Sequence, residues 1–120
     1  MLLPRGGPRR ISPPQAHSML QTGTAVLLDV READEYQAGH APGALHLPLS
    51  RLAAGAADVP GGRSGRGIVL ICRSGHRSQD AARLLADRGV ASVDVAGGMR
   101  DWEERGLPVQ DAQGTAGTVI

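Results

Sequence analysis

The chain has 120 residues, a formal net charge of +1, 41% hydrophobic residues and 21% charged residues, ordinary usage for one globular domain with a buried core. The near-zero charge excludes a dominant basic field for nucleic acid and an acidic solvating tail, and no apolar run approaches the roughly 20 residues that span a bilayer. A single cysteine excludes an internal disulfide framework and a Cys-rich zinc site, and a basic set made only of arginine excludes lysine chemistry such as a Schiff base.

Residues 1–10 hold Pro4, Gly6, Gly7 and Pro8 without periodicity and read as a flexible or loosely docked lead-in, with Arg5, Arg9 and Arg10 solvated. They lack the apolar core of a secretory signal, so the cytoplasm is the expected compartment. Ser12 followed by Pro13 predicts a helix N-terminus, with the helix running to about Gln21 and stopping at Gly23. Ala25–Val30 is short and almost wholly apolar, as expected of a buried parallel strand. Arg31–Gln37 reads as a short helix ending at Gly39, and Ala44–Leu47 as a second short strand. Ser50 is placed to cap a short helix that fades into Gly55.

Ala56–Gly67 is rich in glycine and reads as a loop. Gly67–Cys72 is the strongest strand in the chain and ends on the cysteine. A polar turn, Arg73-Ser74-Gly75-His76-Arg77-Ser78, leads into a helix over Ser78–Arg88 whose apolar face is Ala81, Ala82, Leu84 and Leu85. Ser92–Val95 predicts another strand and Met99–Arg105 a last helix closed by Gly106. Asp111–Thr118 lacks apolar pattern and reads as a frayed tail. The expected organisation is a lead-in over 1–10, a domain over 11–109 and a tail over 110–120. Strands alternating with helices predict an α/β domain, with a mainly parallel sheet covered on both faces.

In such a sheet ligands sit beyond the carboxyl ends of the strands, and Cys72 is at one. A thiol is a nucleophile only as the thiolate. Three features favour that form: backbone N–H groups converging in the turn, the positive end of the next helix, and the fixed charges of Arg73 and Arg77. Gly75 permits positive φ and close approach, and Ser74 and Ser78 offer hydroxyl donors. Such a loop suits an anionic sulfur facing a sulfur oxyanion, phosphate or arsenate. The blander reading is a buried structural cysteine, since free cysteine is among the most buried residues. The charged loop and its strand-loop-helix setting favour reactivity.

Cys72-Arg73-Ser74-Gly75-His76-Arg77-Ser78 resembles the active-site loop of single-domain rhodaneses, the thiosulfate sulfurtransferases. Leu28-Asp29-Val30-Arg31-Glu32, Glu35-Tyr36, Gly39-His40-Ala41-Pro42-Gly43-Ala44 and Leu47-Pro48 resemble that family's first motif. Gly97-Gly98-Met99 with Trp102 resembles its closing motif, so the likeness runs from Ser12 to Pro108. It implies a three-layer domain with a parallel sheet of about five strands between helices. It implies that Cys72 takes a sulfane sulfur from thiosulfate as a persulfide and passes it to cyanide or a thiol acceptor. On this reading the backbone of Arg73, Ser74, Gly75, His76, Arg77 and Ser78 cradles the sulfur. Arg73 and Arg77 orient the donor, and no metal or organic cofactor takes part. Asp29 and Arg31 are implied as structural residues near the site, with an ion pair to Glu35.

The related phosphatases and arsenate reductases carry five residues between cysteine and arginine; here four separate Cys72 from Arg77, and position 78 is Ser. That spacing argues against phosphatase chemistry. A redox sensor is disfavoured by the lack of a resolving cysteine. The main alternative is a relay module, in which Cys72 receives sulfur from one protein and hands it to an acceptor protein. His76 is expected to face solvent, His17 to lie on an exposed helix face, His40 to fix a turn and His46 to be partly buried. The four histidines are too scattered for a metal site. Trp102 is expected in the core. Nucleic acid and membrane are not expected partners, and a monomer suffices.

Overall fold

The computed structural model describes residues 9–56, 58–62 and 64–120. The elements run β1 (Arg9–Ile11), α1 (Pro13–Gln21), β2 (Ala25–Asp29), α2 (Ala33–Ala38), β3 (Leu45–His46), α3 (Leu49–Ala53), β4 (Gly67–Ile71), α4 (Arg77–Asp87), β5 (Val93–Val95) and α5 (Gly98–Glu104). The five strands form one parallel sheet in the order β1-β5-β4-β2-β3.

Strand β4 is central and pairs with β2 through Leu28↔Leu70 and Asp29↔Ile71. Side chains alternate across a strand, so each buried strand feeds two cores. Val26, Leu28, Val30, Ile68 and Leu70 face one side, where Leu52 of α3 and Ala81, Ala82 and Leu85 of α4 cover them. Ala25, Leu27, Val69, Ile71 and Val95 face the other, where Ala16 of α1 and Met99 and Trp102 of α5 cover them. Trp102 is fully buried and its Nε1 donates to Pro108 O at 2.8 Å, which satisfies the one polar atom of the ring. Among the described residues no helix is long and apolar enough to cross a membrane.

Local signals explain most of the boundaries. Ser12 and Gln15 form a reciprocal capping box at the start of α1, and Pro13 occupies its first position. Helix α2 starts at Ala33, later than expected, because Glu32 and Glu35 form the capping box there. Ser50 does not cap α3. Pro48 holds that place, and the Ser50 hydroxyl donates to Glu32 Oε1 at 2.8 Å.

The two ends of the chain differ from expectation. Positions 1–8, with Arg5, lie outside the described residues, but Arg9 and Arg10, expected in the lead-in, form a strand with Ile11. It is an edge strand in register with Val93–Val95, with Arg10 opposite Asp94. The tail is docked. Gln110 exchanges backbone hydrogen bonds with His40 at 2.8 and 2.9 Å, Gly117 N donates to Val109 O, and Thr118 N donates to Ala38 O. Val109 and Val119 pack on the core beside Trp102. Backbone pairing with two isolated valines leaves no period for sequence inspection to find. His17 is half-buried rather than exposed, edge-on to Trp102 with centroids 5.5 Å apart.

Candidate active site

Cys72 follows the last residue of β4 and is 1% exposed. The loop after it turns back over the sulfur. Gly75 N donates to Cys72 Sγ at 3.1 Å, and the thiol donates to Ser78 Oγ at 3.4 Å, a long contact suited to sulfur. Gly75 has φ +105°, and a Cβ there would stand 2.5 Å from Arg10 Nη2, so only glycine lets the loop close.

Helix α5 holds the loop from behind. Met99 N donates to Cys72 O at 2.8 Å and Arg100 N to Arg73 O at 3.0 Å. A Cβ at Gly98, which has φ +59°, would strike the backbone of Cys72 and Arg73. Gly98 is therefore the close-approach residue that lets α5 fix the cysteine's carbonyl.

The structure brings Cys72, Gly75 and Ser78 together and sends the other loop side chains elsewhere. Ser74 and His76 are exposed and lie 3.4 Å apart through Oγ and Nδ1. Arg73 is half-buried, and its Nε donates to Ile120 O at 2.9 Å. Arg77 is not a free cation. It makes a two-pronged ion pair with Glu35 of α2, at 2.6 and 2.8 Å. That pairing, chiefly through the hydrogen bond, holds the Glu35 carboxyl below the usual carboxylate range and raises Arg77.

Arg31 does not pair with Glu35 either. Its guanidinium grips Asp29, with Nη2 at 2.8 Å from Oδ2, and donates to Gly39 O at 2.6 Å, all fully buried. The pair thus ties the end of β2 to the end of α2. Tyr36 stacks between His40 and His46, with centroid distances of 3.9 and 4.3 Å. His40 Nδ1 donates to Tyr36 O and His46 Nε2 to Arg31 O, so both rings are fixed. Burial raises the Tyr36 hydroxyl above its ordinary value.

Two residues joined to the sulfur through Ser78 and Gly75 were missed in the sequence. Asp94 of β5 is fully buried and accepts from Ser78 Oγ at 2.7 Å. Arg10 of β1 closes on that carboxylate through Nε and Nη2, each at 3.1 Å, and its Nη2 also donates to Gly75 O at 2.8 Å. The available signal was an aspartate inside an apolar strand, Val93-Asp94-Val95, since a buried carboxylate requires a partner.

A family model described as a rhodanese-like domain matches residues 12–105. A thiosulfate sulfurtransferase, GlpE, of Actinobacillus succinogenes is 35% identical over 109 residues, covering 87% of this chain and 92% of its own. A rhodanese-related protein from Thermoplasma volcanium, solved by crystallography, is 30% identical with a TM-score of 0.73, over 84% of this chain and 96% of its own. The putative sulfur carrier protein YrkF of Bacillus subtilis is 42% identical over 77 residues, or 63% of this chain. The HTH-type transcriptional regulator Rv0324 of Mycobacterium tuberculosis is 39% identical over 93 residues, or 76% of this chain. The chain spans 40% of the length of each of these last two.

Proposed function

The chain belongs to the rhodanese-like domain family, and from that premise we propose that it is a thiosulfate sulfurtransferase working through a persulfide on Cys72. One observation carries the reading: the Cys72 sulfur sits at the carboxyl end of the central strand, under a loop that aims the Gly75 N–H at it.

In the first half-reaction the Cys72 thiolate attacks the outer sulfur of thiosulfate. A Cys–S bond forms, the sulfur–sulfur bond of the donor breaks, and sulfite departs with the bonding electron pair. In the second, cyanide or a thiolate attacks the outer sulfur of the persulfide. Thiocyanate or a new persulfide leaves, and the Cys72 thiolate is restored. Two half-reactions on one sulfur give ping-pong kinetics. Gly75 N–H is the donor on the sulfur, the Ser78 hydroxyl accepts from the thiol, and Arg73 and Arg77 are the loop cations that would meet an anionic donor. Arg77, paired with Glu35, also anchors the start of α4 to α2, and its charge is still felt at Cys72.

The likeness to a named sulfur carrier supports a second reading, a relay in which the donor is a persulfidated protein and thiosulfate is incidental. Thiocyanate formation from thiosulfate and cyanide tests the first reading. Parallel double-reciprocal lines are expected, with turnover abolished in Cys72→Ser at near-native stability. Substantial turnover by that variant would sink the mechanism. An inert wild-type chain that accepts sulfur from a persulfidated protein would favour the relay.

A further inference from the structure

Asp94 is fully buried, carries a carboxylate two hydrogen bonds from the reactive sulfur, and has no part in the transfer steps. The Ser78 hydroxyl between them has one proton and two acceptors in reach, Asp94 Oδ2 at 2.7 Å and Cys72 Sγ at 3.4 Å. In the thiol form the arrangement is satisfied: sulfur donates to Ser78, and Ser78 donates to Asp94. A thiolate cannot donate and must accept. The Ser78 proton then belongs on sulfur, and Asp94 loses its shortest hydrogen bond. A buried carboxylate stripped of a donor is costly. Arg10 offsets that loss, because its Nε and Nη2 stay on the carboxylate at 3.1 Å. The same Nη2 holds Gly75 O at 2.8 Å, and the Gly75 N–H lies on the sulfur.

We propose that Arg10 and Asp94 are a positioning pair that sets whether the Ser78 hydroxyl serves the carboxylate or the sulfur, and thereby how much of Cys72 is thiolate. The proposal rests on Cys72 being the sulfur-transfer nucleophile. On ionisation the S–H bond breaks, its electron pair stays on sulfur, and the proton passes to water. The Ser78 O–H rotates from Asp94 Oδ2 to Sγ with no covalent bond broken.

Among the described residues the other charged groups around the loop have partners of their own or are exposed, and the Arg77 charge reaches Cys72 through space without a hydrogen bond to the sulfur. Asp29 closes on Arg31, and Glu35 closes on Arg77. Arg73 is bonded to Ile120 O, and the side chains of His76 and Arg100 are exposed. Arg10 and Asp94 are the charges joined to the sulfur by hydrogen bonds through Ser78 and Gly75.

The test is the pH dependence of Cys72 alkylation by iodoacetamide, an uncharged probe, read as the mass gain of the native chain. Cys72 is the only cysteine, so the site of gain is unambiguous. Arg10→Gln is expected to raise the midpoint by about one pH unit, because an uncompensated Asp94 repels the thiolate and keeps the Ser78 proton. Arg10→Lys keeps the charge and is expected to stay nearer wild type. Asp94→Asn is expected to lower the midpoint: its amide oxygen faces Arg10, and its N–H donates to Ser78, freeing the hydroxyl proton for sulfur. Combining Arg10→Gln with Asp94→Asn is expected to erase the upward shift. An Arg10→Gln profile coincident with wild type would overturn the pair. So would a double variant that keeps the upward shift, since that would mark loop loosening rather than charge. Midpoints that move as expected in a chain that forms no persulfide would support the pair and overturn the transfer reading.

Discussion

Two arginine–carboxylate pairs flank the Cys72 loop, and they do different work. On the α2 side, Glu35 and Arg77 meet directly, both partly open to solvent, and the Arg77 charge reaches Cys72 only through space, with no hydrogen bond to the sulfur. On the β5 side, Asp94 is sealed at 0% exposure and its second donor is Ser78, which touches the sulfur. The first pair fastens a helix start. The second joins a charge to the Cys72 sulfur through one hydroxyl. On the proposed mechanism, an ion pair beside the nucleophile gains a chemical role from what stands between it and the sulfur, not from its own geometry.

The comparison can be broken most severely by removing the platform both sides share. Gly98→Ala puts a Cβ into the backbone of Cys72 and Arg73 at a positive φ, so the loop must move. Denaturant melts are expected to show a loss of about 2 kcal/mol or more, with sulfur transfer largely lost. A variant with native stability and full turnover would contradict the role given to α5.

Ser78→Ala cuts only the inner side. It leaves Asp94 Oδ2 and the Cys72 thiol without their shared partner in a buried site. A loss of about 1–3 kcal/mol is expected in chemical melts, with Cys72 alkylation slowed at neutral pH. An unchanged alkylation rate would remove Ser78 from the account of the sulfur.

Glu35→Gln touches only the outer side and sharpens the contrast through pH. The carboxyl of Glu35 is lowered in the folded chain, mainly by the Arg77 hydrogen bond. The sign is therefore fixed: its stabilising contribution is present above the ordinary glutamate range and is lost as pH falls through the lowered value. Stability of the wild type should fall more steeply than that of Glu35→Gln on acidification below about pH 4.3. The midpoint of Cys72 alkylation should move less than in Arg10→Gln and in the opposite direction, because Arg77 is left uncompensated. Parallel stability curves would show that the pair contributes nothing measurable, as for many exposed pairs.

Much of this was legible in the sequence, for identifiable reasons. Runs such as Ala25–Val30 and Gly67–Cys72 are apolar on both faces, which marks buried parallel strands. Ser12-Pro13 announced α1, and the strand-loop-helix context of Cys72 was readable as the turn between β4 and α4. What escaped was held by backbone or by pairing across long separations. Strand β1 has two arginines in its three residues, so it shows no strand pattern; its place is set by register with β5. The docked tail is held by backbone hydrogen bonds to Ala38 and His40. The partner of Arg77 escaped because nothing local reveals that Glu35, 42 positions earlier, reaches it. Arg10 read as solvated because its partner lies 84 positions away.

The central claim is that Cys72 carries the transferred sulfur, and intact-protein mass spectrometry tests it most directly. The reduced chain is freed of reductant, weighed, exposed to thiosulfate, weighed again and then treated with cyanide. The account predicts a gain of one sulfur atom, absent in Cys72→Ser, that cyanide removes as thiocyanate appears. A wild-type chain whose mass is unchanged by thiosulfate, or a gain that persists in Cys72→Ser, would contradict it.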